Sequence, residues 1–254
     1  MSRPSLTHLV LIPSYNPGPK VVDTVGAALR VWRPVWVIVD GSTDGSAERL
    51  TDLASRESGL RVVELPKNQG KGAAVLAGLE LAQAEGFTHA LTMDSDGQHP
   101  ADSLPDFMQA SHEHPEAMIL GLPVFDESAP ALRVRGRRIS NTFANIETLC
   151  TGIGDSLFGF RVYPIAPLLA VMRGRHWMRR FDFDPEAAVR LRWRGVPALN
   201  LPAPVRYLKP EDGGVSHFHY WRDNVLLTWM HIRLLLGFLI RLPMLLARRF
   251  RGHP

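Results

Sequence analysis

Residues 60–97, "LRVVELPKNQGKGAAVLAGLELAQAEGFTHALTMDSDG", contain a complete structural unit. "LRVVELP" is a short apolar run rich in β-branched residues and closed by proline, the pattern of a buried strand. "KNQGKG" reads as a loop, and "AAVLAGLELAQAE" has the length and the helix-forming residues of an α-helix. "THALTMD" is a second buried strand that ends on an acid. Strand, helix and strand in that order make a parallel pair joined by a right-handed crossover.

The same alternation extends towards the N-terminus. "LTHLVLI" (6–12) is an apolar strand stopped by Pro13 and the turn-forming "PSYNPGP", and Val21, Val22, Val25 and Leu29 carry the apolar face of a helix. "PVWVIVD" ends on Asp40, and "GSTDGS" leads into the helix "AERLTDLASR", with Ser46 or Asp44 placed to cap it. The expected fold class is therefore α/β, a doubly wound and mostly parallel sheet with a Rossmann-like nucleotide-binding half. Ligands in such sheets sit beyond the carboxyl ends of the strands. The loops at 13–19, 40–46, 67–72 and 94–100 all fall on that edge.

The second half is less regular. It offers a basic helical stretch at about 133–149, the Gly-rich "TGIGDSLFGF", a short helix near 184–194 and the strand-like "VPALNLPAPVRYL". "NVLLTWMHIRLLLGFLIRLPMLLARRF" follows, in which Arg233 and Arg241 interrupt the apolar run. This pattern predicts C-terminal amphipathic helices in the plane of a membrane interface, with Trp229 and the arginines at headgroup level, rather than a simple spanning helix. The expected organisation is a catalytic domain at 1–220 and a hydrophobic, basic tail at 221–254.

The net charge of +4 and the pI of about 9.6 are concentrated in "RVRGRR", "RGRHWMRR" and "ARRFR". Such clusters suit phosphate groups or anionic lipid, and beside a Leu-rich tail they favour lipid over nucleic acid. With Cys150 as the only cysteine, the chain has neither a disulfide framework nor a zinc-type cysteine pair, so a reducing compartment is expected. The N-terminal apolar run is too short for a signal peptide. The expected location is the cytoplasmic face of a membrane, or the cytoplasm if the tail only packs on the core.

In "TMDSDGQHP", Asp94 and Asp96 on one side of an extended chain would lie about 7 Å apart and could share a hard divalent cation. Gln98 is a possible third ligand, and an oxygen-only donor set suits Mg2+ or Mn2+. A bare D-x-D is also a common turn with solvated carboxylates, so its neighbours carry the weight. Pro13 and Tyr15 offer a surface for a flat base, and Asp40 can accept from a base imide or a ribose hydroxyl. Lys67 and Lys71 stand among glycines, where a phosphate can approach closely. The histidines at 99, 217 and 219 are expected at the surface or the core edge, His217 being also a candidate phosphate contact.

"LIPSYN", "VIVDGSTDGS", "KNQGKGAAVLAG" and "TMDSDGQHP" resemble, in order and spacing, the signature loops of family 2 inverting glycosyltransferases of the GT-A fold. The closer resemblance is to the branch of dolichyl-phosphate mannose synthases and bacterial polyprenyl-phosphate sugar transferases. It covers about residues 6–210. The resemblance implies that Pro13, Tyr15 and Asp40 line a nucleotide pocket and that Asp94, Asp96 and Gln98 hold the metal bridging the donor diphosphate, with Asp94 alternatively facing the donor sugar or ribose. "DSLFGFRVY" resembles the family's D-x-x-x-G-F-R segment and gives Asp155, Gly159, Phe160 and Arg161. "GVSH" resembles a G-x-S-K motif, with His217 where lysine is usual. The chain departs from the family at "GLP" (121–123), where a phosphate-binding arginine is expected. Arg137 or Arg138 are the substitutes.

The implied activity is inverting transfer of a sugar from a UDP- or GDP-sugar to a lipid-linked or lipid-like acceptor. A hydroxyl acceptor needs a base, whereas a phosphate acceptor does not. Asp184, at the acidic position of the family's acceptor segment, is the candidate base, with helix capping as the competing role and Asp182 as the substitute. Two other functions fit parts of the pattern: a sugar-1-phosphate nucleotidyltransferase, and a membrane-tethered module that only binds nucleotide sugars. The first would want basic residues directly after the first strand, where only Lys20 occurs, late in the loop. The second would not need both aspartates and Gln98.

Overall fold

The computed structural model describes residues 4–125, 131–205 and 219–250, with side chains described outside 131–135. Three parallel strands begin the chain: β1 (His8–Ser14), β2 (Val35–Asp40) and β3 (Leu60–Leu65), linked by α1 (Val21–Val31) and α2 (Ser46–Arg56). Every residue of β1 and β2 is buried, as expected for strands covered on both faces. α3 (Lys71–Ala84) crosses to β4 (His89–Thr92), which pairs with β1 in parallel. After a 3-10 turn at Ala101–Ser103 come α4 (Leu104–Glu113), β5 (Met118–Phe125) and α5 (Ala131–Glu147). The chain then forms β6 (Arg161–Pro164), α6 (Ile165–Met172), α7 (Phe183–Trp193), β7 (Ala198–Val205) and α8 (Tyr220–Phe250).

The seven strands are ordered β3-β2-β1-β4-β6-β5-β7. β6 is antiparallel to both β4 and β5. Apolar layers cover both faces: Val25, Leu50, Phe107 and Ile119 on one, Leu11, Leu79, Leu168 and Phe183 on the other.

The tail is a single helix of 31 residues with Pro243 inside it, where several amphipathic helices were expected. Met230, His231, Leu234 and Phe238 form its buried stripe, and it packs against α5 and α7. The opposite face leaves Trp221, Trp229, Leu236, Leu239 and Ile240 exposed. By length and composition α8 could cross a membrane, with a mean hydropathy of 1.7 over its best window despite Arg233 and Arg241, and only 22% of that window is buried.

Candidate active site

The strand ends of β1, β2 and β4 and the loop before α3 converge on one cavity of about 1180 Å3. Its polar floor is built by Pro13, Tyr15, Asp40, Lys71, Asp94 and Asp96. Two long-range contacts bring the first loops together: the Asn16 N–H donates to Ser42 Oγ at 3.0 Å, and the Thr43 N–H donates to Asn16 Oδ1 at 2.7 Å. Gly41 has φ +64°, and a Cβ there would lie 2.6 Å from the backbone of Lys67, so only glycine lets the β2 and β3 loops touch.

Asp40 is 2% exposed, and its carboxylate accepts the Gln69 N–H at 2.9 Å and the Gly70 N–H at 2.7 Å. Burial nonetheless pushes its carboxyl above the ordinary range. β4 ends at Thr92, so the acid pair lies in a turn, with Gly97 at φ 77°, rather than on an extended strand. That turn gives the two acids different partners. Asp94 Oδ1 lies 2.6 Å from Lys71 Nζ, while Asp96 Oδ1 accepts the Gln98 N–H at 3.0 Å.

Lys71 is the hub. Its ammonium also donates to Asp184 Oδ2 at 2.7 Å, joining the first turn of α7 to the turn after β4. Burial opposes its charge, but Asp184 and Asp94 overcome that and hold its pKa above the usual lysine range. Burial opposes the charge on Asp94, but Lys71, with His99 and Arg161 adding to it, holds the carboxyl below its usual range. Burial, with Asp94 beside it, pushes Asp96 up to about 6. A Cβ at Gly159 would lie 2.5 Å from Lys71 Nζ and 3.1 Å from Asp94 Oδ2, so this glycine keeps the space that the ion pair fills.

His99, expected at the surface or the core edge, is 8% exposed and supports Asp94. Its Nδ1 accepts the Asp94 N–H at 2.9 Å, which places any ring proton on Nε2, 3.5 Å from Asp94 Oδ2. Burial lowers its pKa to about 4, and the ring packs edge-on against Phe158 and Phe160.

Asp184 and Asp182 occupy different places. Asp184 is in the first turn of α7, lines the cavity and keeps Oδ1 buried without a hydrogen bond, so its carboxylate does not cap the helix. Asp182 is the N-cap residue, yet its side chain accepts the Met178 and Arg180 N–H groups and so organises the preceding turn. Arg161 is fully buried beneath the cavity. Its guanidinium donates to the carbonyls of Phe158, Asp184 and Asp155 and to the Tyr163 hydroxyl. It fixes the Asp184 backbone rather than facing the cavity.

Arg137 lines the cavity and is paired with Asp155 at 2.6 Å. Arg138 and Lys67 are exposed and are not part of the lining. His217 lies outside the described residues. Two further basic residues line the cavity, Arg180 beside Asp40 and Arg222 on α8. Nothing in the run "RGRHWMRR" distinguishes Arg180 from its neighbours. Only the turn before α7 turns it inward. Among the described residues, no group of three or more His, Cys, Asp or Glu side chains could hold a metal ion by itself.

The family model described as "Glycosyl transferase family 2" matches residues 9–169. The chain belongs to glycosyl transferase family 2. Among its relatives, the dolichyl-phosphate beta-glucosyltransferase ALG5C of Trichomonas vaginalis is 27% identical over 76% of this chain and 61% of its own length. The polyprenol monophosphomannose synthase of Mycolicibacterium smegmatis is 29% identical over 63% of this chain and 63% of its own. The family 2 chain thus spans just under two thirds of the length of these relatives. The fold agrees with glucosyl-3-phosphoglycerate synthase of Mycobacterium tuberculosis, solved with Mn2+, UDP-glucose and phosphoglyceric acid, at a TM-score of 0.64, 14% identity, and 91% and 79% coverage of the two chains.

Proposed function

We propose that this family 2 chain transfers a sugar, with inversion, from a UDP- or GDP-sugar to a lipid-linked acceptor at a membrane surface, assisted by Mg2+ or Mn2+. One observation carries the reading. The cavity holding Asp40, Lys71 and Asp96 continues into a trough between α5 and α8 walled by Ile139, Phe143, Leu227 and Leu235. A polar floor for a nucleotide diphosphate and an apolar trough for a lipid chain thus share one space. Two relatives, a dolichyl-phosphate beta-glucosyltransferase and a polyprenol monophosphomannose synthase, support a phosphate acceptor.

The donor base would pack on Pro13 and Tyr15, with Asp40 accepting from base or ribose. Asp96 and Gln98 are the residues that would hold the metal. The donor set is oxygen-only, and a carboxyl pushed up to about 6 in want of a positive neighbour fits a cation. One or two carboxylates completed by substrate phosphates is the usual coordination of Mg2+ at such sites. When bound, the ion neutralises charge that builds on the leaving diphosphate. Lys71 holds Asp94 towards the donor sugar, and Arg180 and Arg137 bring positive charge to the phosphates.

Asp184 faces the acceptor side. Its Oδ1 could take a proton from a hydroxyl, but an ionised phosphate needs no base, and Asp184 then acts by orienting Lys71. The outer face of α8, which exposes Trp221, Trp229, Leu236, Leu239 and Ile240, would lie in the interface of an anionic membrane, since its inner stripe is packed on the protein and does not face lipid.

The test is calorimetric titration of the full chain with UDP- and GDP-sugars, with and without Mn2+, followed by transfer of labelled sugar to polyprenyl phosphate in vesicles. Metal-dependent binding that disappears in Asp96→Asn, together with label in the lipid fraction, is the expected result. Undiminished binding by Asp96→Asn in the presence of EDTA would remove the metal from the mechanism.

A further inference from the structure

Along the cavity wall, where Ser140 and His231 are part of the lining, a continuous series of buried and half-buried hydrogen bonds joins α8 to the turn that carries Arg137's partner. Glu147, fully buried at the end of α5, has Oε1 3.0 Å from His231 Nδ1 on α8. His231 Nε2 is 2.9 Å from Ser140 Oγ, and Ser140 Oγ is 3.1 Å from Ser156 Oγ. Ser156 donates through both its N–H and its Oγ to Asn141 Oδ1 at 2.7 Å, and Asn141 Nδ2 donates to Asp155 Oδ2 at 3.1 Å. Asp155 Oδ1 collects the N–H groups of Leu157 and Phe158 and, at 2.6 Å, the guanidinium of Arg137.

Glu147, His231 and Ser140 are linked like an acid, a base and a nucleophile. The Ser140 hydroxyl is nonetheless committed to Ser156 as well, and the residue is only 6% exposed. The arrangement therefore links elements rather than attacking a substrate. Each link from Glu147 Oε1 to Arg137 is made, although Glu147 Oε2 is buried without a partner, and linked polar chains of this kind loosen together when one link is cut.

We propose that His231 is a positioning residue: through Ser140, Ser156 and Asn141 it fixes the Asp155 turn and hence Arg137 in the cavity wall, so that seating of α8 is transmitted to the site. The functional part of this inference rests on reading the cavity as the donor and acceptor site. The linkage itself does not. Burial pushes the Glu147 carboxyl above the ordinary carboxylate range, against the hydrogen bond from His231.

The experiment uses the full chain in phosphatidylglycerol vesicles and compares His231→Leu with Leu234→Ala, which loosens the same helix packing without touching the polar series. Hydrogen exchange at the amides of Ser156, Leu157 and Phe158 should accelerate about fivefold in His231→Leu and stay near wild type in Leu234→Ala. On an Asn141→Leu background, His231→Leu should add nothing. Equal acceleration by both variants, or full additivity with Asn141→Leu, overturns the proposal. Should His231→Leu fold poorly, Ser140→Ala cuts the same link and is expected to accelerate the same amides. Exchange is read without substrate, so it decides the linkage even if the chain transfers no sugar. With transfer established, His231→Leu should raise KM several-fold with little change in kcat, and an unchanged KM would overturn the step from the turn to Arg137.

Discussion

Lys71 compensates two carboxylates from elements far apart in sequence, at 2.6 Å from Asp94 and 2.7 Å from Asp184. Removing one member of a buried ion pair is more damaging than never having built it, because the partner charges stay buried. Lys71→Met is therefore expected to lower unfolding stability by about 3–5 kcal/mol in urea titration. Mn2+ held at Asp96 should recover part of that loss by bringing positive charge near Asp94. A variant as stable as wild type would show that Asp94 and Asp184 do not need the lysine. The glycine beneath this pair makes a second residue-scale prediction. Gly159→Ala should reduce stability and nucleotide affinity together in thermal shift and calorimetry, since the new methyl displaces Lys71 Nζ. Of these residues, the acids and the lysine were legible in the sequence through their loops. The reason for Gly159 was not, because its close neighbours come from the turn after β4 and from α3.

At the scale of elements, the end of the sheet opposite the site carries its own titrating group. His8, at the start of β1, stacks on His89 of β4 with ring centroids 4.4 Å apart and lies 3.9 Å from the ring of His112 on α4. Burial, then the neighbouring His89 and His112, lower its pKa to about 3. Its folded value is thus below the ordinary 6.5, so the unfolded chain takes up the proton first as pH falls. The contribution to stability is complete above about pH 6.5 and is lost progressively towards pH 3. Urea unfolding at descending pH should show wild type losing more stability than His8→Asn, and parallel curves would refute the assignment. The elements of the first hundred residues were readable because each strand is a continuous apolar run bounded by Gly, Pro or Asp. β6 was not readable, because nothing local tells a short buried strand that it will run antiparallel between β4 and β5.

The whole molecule is an α/β sheet whose long last described helix, α8, serves two surfaces. The inner stripe of α8 completes the core while its outer face stays apolar, so folding and the proposed membrane contact can be tested apart. Leu236→Gln with Ile240→Gln, at positions 58% and 80% exposed, should leave the melting midpoint near wild type. The same change should weaken co-sedimentation with phosphatidylglycerol vesicles at least tenfold, on the basis of about 1.5–3 kcal/mol per buried aliphatic side chain. Unchanged sedimentation would move the membrane contact away from α8. Truncation before α8 is a poorer test, because it would also expose Met230, Leu234 and Phe238.

By itself the sequence determined the alternation of strand and helix and the edge on which the loops gather, because these depend on local periodicity and on turn chemistry, while the family followed from the resemblance of its loop motifs. Tertiary structure alone decided which charges meet. It set Lys71 between Asp94 and Asp184, turned Arg161 under the site, left Lys67 and Arg138 outside it, and brought Arg180 in. Those outcomes depend on distances between side chains many residues apart, and an ion pair's worth is set by separation and burial. Neither quantity is written in the order of the residues.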